Sequence, residues 1–304
     1  MLSEKLKALR RQTKMSQEQL AEKLNVSRQA VTKWETGAGV PDLDNLCAIS
    51  ALFQISLDEL LDNEGTASSK QDFLFDSVTE YDIDCEKSFD VNLAGARQVV
   101  LEGYEGEKVQ VRLASDQIPE IRSLCKVKID DVKQRIDIDV HRTEPVTETK
   151  AKEAIYVFLR FPQKYTKRIE LAGNTERLNI RNLAAENIEF SGKASFVFLQ
   201  GNSGHLELNC NEDLEIRWES WNGRLDLNQI SATSKLCVPA GLLFATKKRG
   251  IANHILFERD GKSTEDFSVQ GGEARECENI IELNGMKSEL VIFSKPAELS
   301  LSGA

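Results

Sequence analysis

No apolar run in the 304 residues approaches the ~18 that a membrane-spanning helix needs. The N-terminus, MLSEKLKALRRQTKMSQEQL, lacks the apolar core and small-residue cleavage site of a secretory signal. A cytoplasmic protein without a membrane partner is expected. Cysteine is scarce: six residues, Cys47, Cys85, Cys125, Cys210, Cys237 and Cys277, stand singly with no C-x-x-C. Such spacing suits neither a disulfide framework nor a zinc site, and reads as apolar packing. The three histidines, His141, His205 and His254, lack ligand-like spacing, so no metal is expected. No G-x-S-x-G, P-loop or Cys–His nucleophile arrangement occurs. Neither catalytic residues nor a cofactor are expected, and the chain reads as a non-enzyme.

What is present is an ordinary globular composition, 40% hydrophobic and 29% charged, long enough for two domains. The net charge of −10 argues at first against nucleic acid, but it is unevenly placed. Residues 1–40 hold eight basic and four acidic side chains, residues 41–62 five acidic and no basic ones, and the remainder carries −9. A basic module joined to an acidic one is compatible with local phosphate binding.

Residues 1–62 predict five short helices. Leu2, Leu6 and Leu9 recur at helical spacing. Ser16-Gln17-Glu18-Gln19 is a capping box that opens a second helix. Asn25 suits the left-handed turn behind that helix, and Ser27 caps the next, which runs to about Glu35 and stops at Gly37. Leu43, Leu46, Ile49 and Phe53 mark a fourth, and Ser56-Leu57-Asp58-Glu59 is a second capping box before a fifth. Residues 63–72 are polar and small, which predicts a linker.

From residue 73 to 304 the period changes to two, which predicts an all-β domain. Apolar-x-apolar triplets begin at Ile169, Leu178, Ile188, Val197, Leu206, Leu214, Leu225 and Leu236, often separated by Gly or Asn. Each triplet offers only two inward residues and must stack on neighbours, which favours a β-solenoid. The fold class is therefore a small all-α domain followed by an all-β domain, solenoid-like over about 155–295.

The helix from Arg28 carries the functional signal. At about 100° per residue, Arg28, Thr32, Gln29 and Lys33 fall within about 140° of one another, while Ala30, Val31 and Trp34 point the other way. Arg pairs with the N7 and O6 of guanine and Gln with the N6 and N7 of adenine, and both sit in the first turn, where a helix meets base edges in a major groove. Gln17 opens the preceding helix, a place suited to a phosphate oxygen. Lys14, Lys33, Ser27 and Thr36 are further candidates for phosphate contact.

Val26-Ser27-Arg28-Gln29-Ala30-Val31-Thr32-Lys33-Trp34-Glu35, with Ser16-Gln17-Glu18-Gln19-Leu20-Ala21 and Pro41-Asp42-Leu43-Asp44-Asn45-Leu46, resembles the Cro/C1-type helix-turn-helix family, in particular its xenobiotic-response-element-like regulators. The resemblance implies a five-helix domain that binds double-stranded operator DNA as a homodimer. It places the base-reading positions on Arg28, Gln29 and Lys33 with Thr32 beside them. It places a phosphate contact on Gln17 and an internal ion pair on Arg10 and Glu35. Many members carry basic residues in the loop after the recognition helix; here Thr36–Asp42 has none. Residues 155–295 resemble, through triplet spacing and Gly-Asn turns, the adhesin-type β-solenoid domain.

The chain thus reads as a DNA-binding transcriptional regulator whose β domain serves oligomerisation or senses a small-molecule or protein effector. The alternative is an antitoxin or adaptor whose β domain binds a protein partner. Should each coil turn take two triplets, Glu170, Glu189, Glu207 and Asp226 stack in a stripe, which Arg177, Arg217 and Arg224 are expected to neutralise. Trp218 and Trp221 are expected to pack at a rim, and Lys247-Lys248-Arg249 to form a solvated loop.

Overall fold

The computed structural model describes residues 6–7, 9–10, 13, 15–24, 26–36, 39, 41–53, 72–259, 262–264 and 277–294. The chain divides into two compact units, residues 1–71 and 72–304. No described helix is long and apolar enough to cross a membrane.

In the first unit residues 6–7 and 9–10 are helical, followed by α1 (Gln17–Lys23), α2 (Arg28–Thr36) and α3 (Leu43–Phe53). Of the five helices expected, these four stretches are seen. The fifth, after Ser56, lies outside the described residues, as do Leu2, Lys14, Asn25, Gly37, the side chain of Cys47 and residues 63–71 of the expected linker. The capping box forms: Gln19 N–H donates to Ser16 Oγ (3.1 Å) and Ser16 N–H to Gln19 Oε1 (2.8 Å). Ala30 N–H donates to Ser27 Oγ (3.2 Å), which caps α2. One apolar cluster holds the unit: Leu6, Leu20, Ala21, Leu24, Val31, Trp34, Leu46 and Ile49 are buried together.

The second unit is built from β1 (Phe75–Asp82), β2 (Lys87–Leu93), β3 (Ala96–Tyr104), β4 (Lys108–Ser115), β5 (Cys125–Val132), β6 (Arg135–Arg142), β7 (Tyr156–Pro162), β8 (Thr166–Arg181), β9 (Ala184–Lys193) and β10 (Phe196–Gln200). It continues through β11 (Asn202–Asn209), β12 (Glu215–Trp218), β13 (Trp221–Ile230), β14 (Thr233–Val238), β15 (Ala245–Ile251), β16 (His254–Arg259), β17 (Lys262–Thr264), β18 (Ile280–Met286) and β19 (Glu289–Ser294). Two short helices, α4 (Ile121–Leu124) and α5 (Glu148–Ala154), interrupt the strands, so the expectation of a purely β region is corrected. The second begins at Thr147, whose side chain accepts from Lys150 N–H.

The chain coils in turns of two strands, one on each of two sheets. Sheet 1 runs β5, β6, β2, the first half of β8, β9, β11, β13, β18, β15. Sheet 2 runs β1, β4, β7, β3, the second half of β8, β10, β12, β14, β19, β16, β17. The middle of the coil is parallel and sequential. At either end it is not: the turn β2–β3 lies between β6–β7 and β8, and the turn β18–β19 lies between β13–β14 and β15–β16.

The triplets supply the core. On sheet 1 Ile136, Phe89, Ile169, Ile188, Leu206, Leu225 and Ile281 stand in one register column, and all are buried. Parallel register repeats one side chain every turn, so each apolar residue packs on its own kind above and below. Turns come close enough that only glycine fits at some corners. Gly223 has φ +136°, and a Cβ there would lie 2.1 Å from the carbonyl oxygen of Gly204.

On the outer face of sheet 1 the acidic stripe is longer than expected. Asp130, Asp137, Asp90, Glu170, Glu189, Glu207, Asp226 and Glu282 stand in register, and Lys247 of β15 closes the column. Neutralisation comes from other residues than expected. Arg177 and Arg217 are on sheet 2, on the other side of the coil, and only Arg224 of the three serves the stripe. Arg224 lies 2.6 Å from Asp226 and 2.9 Å from Glu282, Arg135 2.6 Å from Asp137, and Arg249 2.7 Å from Glu282.

Trp218 and Trp221 are also corrected. Both are core residues rather than rim residues, and the indole N–H of Trp221 donates to Gly204 O. Cys125 and Cys210 are buried, and burial pushes the Cys125 thiol up; Cys85 is exposed. Lys247-Lys248-Arg249 is no loop but the middle of β15.

Candidate nucleic-acid interface

The site is one helix held by a second. α1 and α2 pack together: Leu20 and Ala21 of α1 and Leu24 just beyond it share one buried apolar cluster with Val31 and Trp34 of α2. Ala21 keeps the approach close because it carries only a methyl group. With Val31 and Trp34 inward, helical geometry turns Arg28, Gln29 and Lys33 outward. All three are exposed, and among the described residues none has a side-chain partner. Three donor-bearing side chains therefore stand free on one arc of α2. Thr32 is half-buried beside them, and its hydroxyl donates to Arg28 O (3.0 Å).

Glu35 occupies the boundary between that arc and the core. Its side chain is 2% exposed and that of Arg10 12%. Arg10 grips it with two donors, Nε to Oε1 (2.6 Å) and Nη2 to Oε2 (2.9 Å). Arg10 Nη1 donates also to Met15 O (2.8 Å), the residue before the α1 cap. One guanidinium thereby ties the first helical stretch to the start of α1 and to the last turn of α2. Burial pushes the Glu35 carboxyl up, but the hydrogen bonds from Arg10 and Gln17 and the charge of Arg10 outweigh it, so the net shift is downward. The Arg10 guanidinium is pushed up by its hydrogen bond to Glu35.

Gln17 joins the same network. Its Nε2 donates to Glu35 Oε2 (2.8 Å), and its Oε1 lies 3.3 Å from the Thr32 hydroxyl, sharing that single proton with Arg28 O. The carboxamide keeps one N–H and is held in a fixed orientation. No periodicity signals this link, because the partners lie 18 and 15 residues apart. Ser27 is exposed with its Oγ engaged as the α2 cap, and Thr36, also exposed, donates to Thr32 O (2.8 Å). Lys14 lies outside the described residues. Among the described residues no group of three or more His, Cys, Asp or Glu is placed to hold a metal ion.

This is a helix presented by a helix across a short turn, with free donors on its outer arc. Residues 6–60 match the helix-turn-helix family model. Over 62 residues the chain is 50% identical to the HTH-type transcriptional activator BcrR of Enterococcus faecalis, which covers 20% of this chain and 30% of that protein. Over 72 residues it is 42% identical to the uncharacterized HTH-type transcriptional regulator YqaE of Bacillus subtilis (strain 168), 24% of this chain and 62% of that protein. The chain thus spans less than two thirds of either relative. The likeness to helix-turn-helix regulators thus rests on the N-terminal unit, over residues 6–60 of this chain.

A solved structure of a candidate cell adhesion protein from Clostridium sporogenes ATCC 15579 aligns with 73% of this chain and 100% of that chain, at 10% identity and a TM-score of 0.32. A candidate adhesin from Parabacteroides distasonis ATCC 8503 aligns with 73% and 97%, at 6% identity and a TM-score of 0.28.

Proposed function

We propose that the protein is a cytoplasmic, sequence-specific transcriptional regulator that binds an inverted-repeat operator as a homodimer. Residues 1–62 form the DNA-binding head, 63–72 the linker and 73–304 the β domain. The observation that carries this reading is the free set of Arg28, Gln29 and Lys33 on an arc fixed from behind by Glu35. Arg28 and Gln29 read base edges, with Thr32 and Lys33 beside them, and Gln17, Lys14, Ser27 and Thr36 meet phosphates. Two heads related by a twofold axis would enter successive major grooves ~34 Å apart. The loop after α2 has no basic residue, so affinity leans on dimerisation. The β domain supplies that dimerisation or receives an effector.

The test starts from DNA fragments selected by the protein from a random pool. Arg28→Ala and Gln29→Ala should each lose roughly 1–3 kcal/mol of discrimination between selected and scrambled duplexes. Binding is followed by fluorescence anisotropy, with the helical circular dichroism unchanged. Unaltered sequence preference in both variants would overturn the assignment.

A further inference from the structure

The strand β15 is exposed from Thr246 to Ile251, and among the described residues it pairs on one side only, with β18. Its register sets Lys247 opposite Glu282, Arg249 opposite Asn284 and Ile251 opposite Met286. Alternation puts Lys247, Arg249 and Ile251 on the outer face of sheet 1, continuing the columns of β18. The column of Ile251 is apolar and open to solvent for three turns: Ile230 is 52%, Met286 42% and Ile251 69% exposed. The column of Lys247 reverses the sign of the eight acidic residues before it. Arg249 already holds one of them, Glu282, at 2.7 Å.

We propose that the free edge of β15 is a docking site for an extended acidic segment of a partner protein, added as one more parallel or antiparallel strand. The occupied edge is the template. On that side β15 accepts a strand whose outward residues read acidic, polar, apolar (Glu282, Asn284, Met286). The other side offers the same three outward side chains, and among the described residues no strand pairs with the backbone there. A complementary segment carries an acidic residue beside Lys247, an acidic or amide residue beside Arg249 and a large aliphatic one beside Ile251. Backbone pairing supplies affinity and the alternate side chains supply selectivity. Duplex DNA and single phosphates match the cations but not the apolar column.

The site is tested on the full chain with a fluorescein-labelled ten-residue peptide of alternating valines whose outward positions are glutamate, aspartate and isoleucine. A matched peptide has lysines in place of the acids. The unaltered protein should bind the acidic peptide at least tenfold more tightly than the basic one, and the difference should shrink as salt rises. Lys247→Glu should lose at least tenfold for the acidic peptide and gain affinity for the basic one, while Ile251→Thr should weaken both. If Lys247→Glu does not fold, the two peptides on the unaltered chain decide. Equal or absent binding of both would overturn the proposal and leave the lysines as guards against edge pairing. Binding to phosphatidylglycerol vesicles but not to peptide would overturn it in favour of a lipid surface. Self-association on sedimentation, lost in Ile251→Thr and without peptide binding, would overturn it in favour of a second copy.

Discussion

Glu35 receives three hydrogen bonds from two residues of different helical segments, and its side chain is almost wholly removed from water. Removing one partner of such a pair strands a buried charge. Arg10→Ala and Glu35→Ala should each cost roughly 3–5 kcal/mol of stability in the helical unit, read from urea denaturation followed by helical circular dichroism. Arg10→Ala should be the harsher, since it leaves the carboxylate in place. The pH dependence follows from the net depression of the Glu35 carboxyl. Its folded value lies below the ordinary 4.5, so its contribution is present above that value and is lost as pH falls through the lowered one. The urea midpoint of the helical signal should drop on acidification, and Glu35→Gln should flatten that drop.

Gln17 belongs at the same scale. As a residue that orients both Glu35 and Thr32, it has a structural role besides the phosphate contact proposed for it. Gln17→Ala should cost about 1.5–3 kcal/mol of stability, the worth of a hydrogen bond to a charged group. It should also weaken binding evenly across DNA sequences, measured by anisotropy on selected and scrambled duplexes. A loss confined to the selected duplex would move Gln17 into base readout.

At the scale of elements, the coil is made by repetition and limited by its corners. Gly223→Ala would place a methyl group on the Gly204 carbonyl at a positive φ, and should cost at least about 1–3 kcal/mol in urea denaturation. Leu206→Ala, in the middle of a buried column, should cost about 2–5 kcal/mol. Much of this was legible from period alone. Triplets of two inward residues spaced by Gly and Asn dictate stacking, and the stripe from Glu170 to Asp226 follows once each turn takes two of them. The outward arc of α2 was legible because the angles of Arg28, Gln29 and Lys33 require no knowledge of tertiary structure. Three features were not. The Gln17–Glu35 link joins helices that no local pattern relates. Lys247-Lys248-Arg249 has no apolar alternation, because its strand lies on an edge with little to bury. The arginines that serve the acidic stripe are set by which sheet a strand joins, and Arg177 and Arg217 fall on the other one.

At the scale of the whole chain, the two units divide the labour that the proposed function needs. A shortened chain ending at residue 72 tests this. If the β domain pairs two copies, the shortened chain should bind selected DNA more weakly and sediment as a monomer; unchanged affinity would assign pairing to the helical unit.

The order of turns in the coil also has a consequence for synthesis. The turn β18–β19 occupies an interior seat, between neighbours that both leave the ribosome before it. In the finished coil that turn is the pairing partner of both β13–β14 and β15–β16, and it covers the apolar edge at Leu225, Leu227 and Leu236. The last turn to be synthesised therefore takes an interior place, and the native coil is not completed by winding in sequence order alone. A chain stopped just before Ile280 would lack the turn on which β13–β14 and β15–β16 both pair.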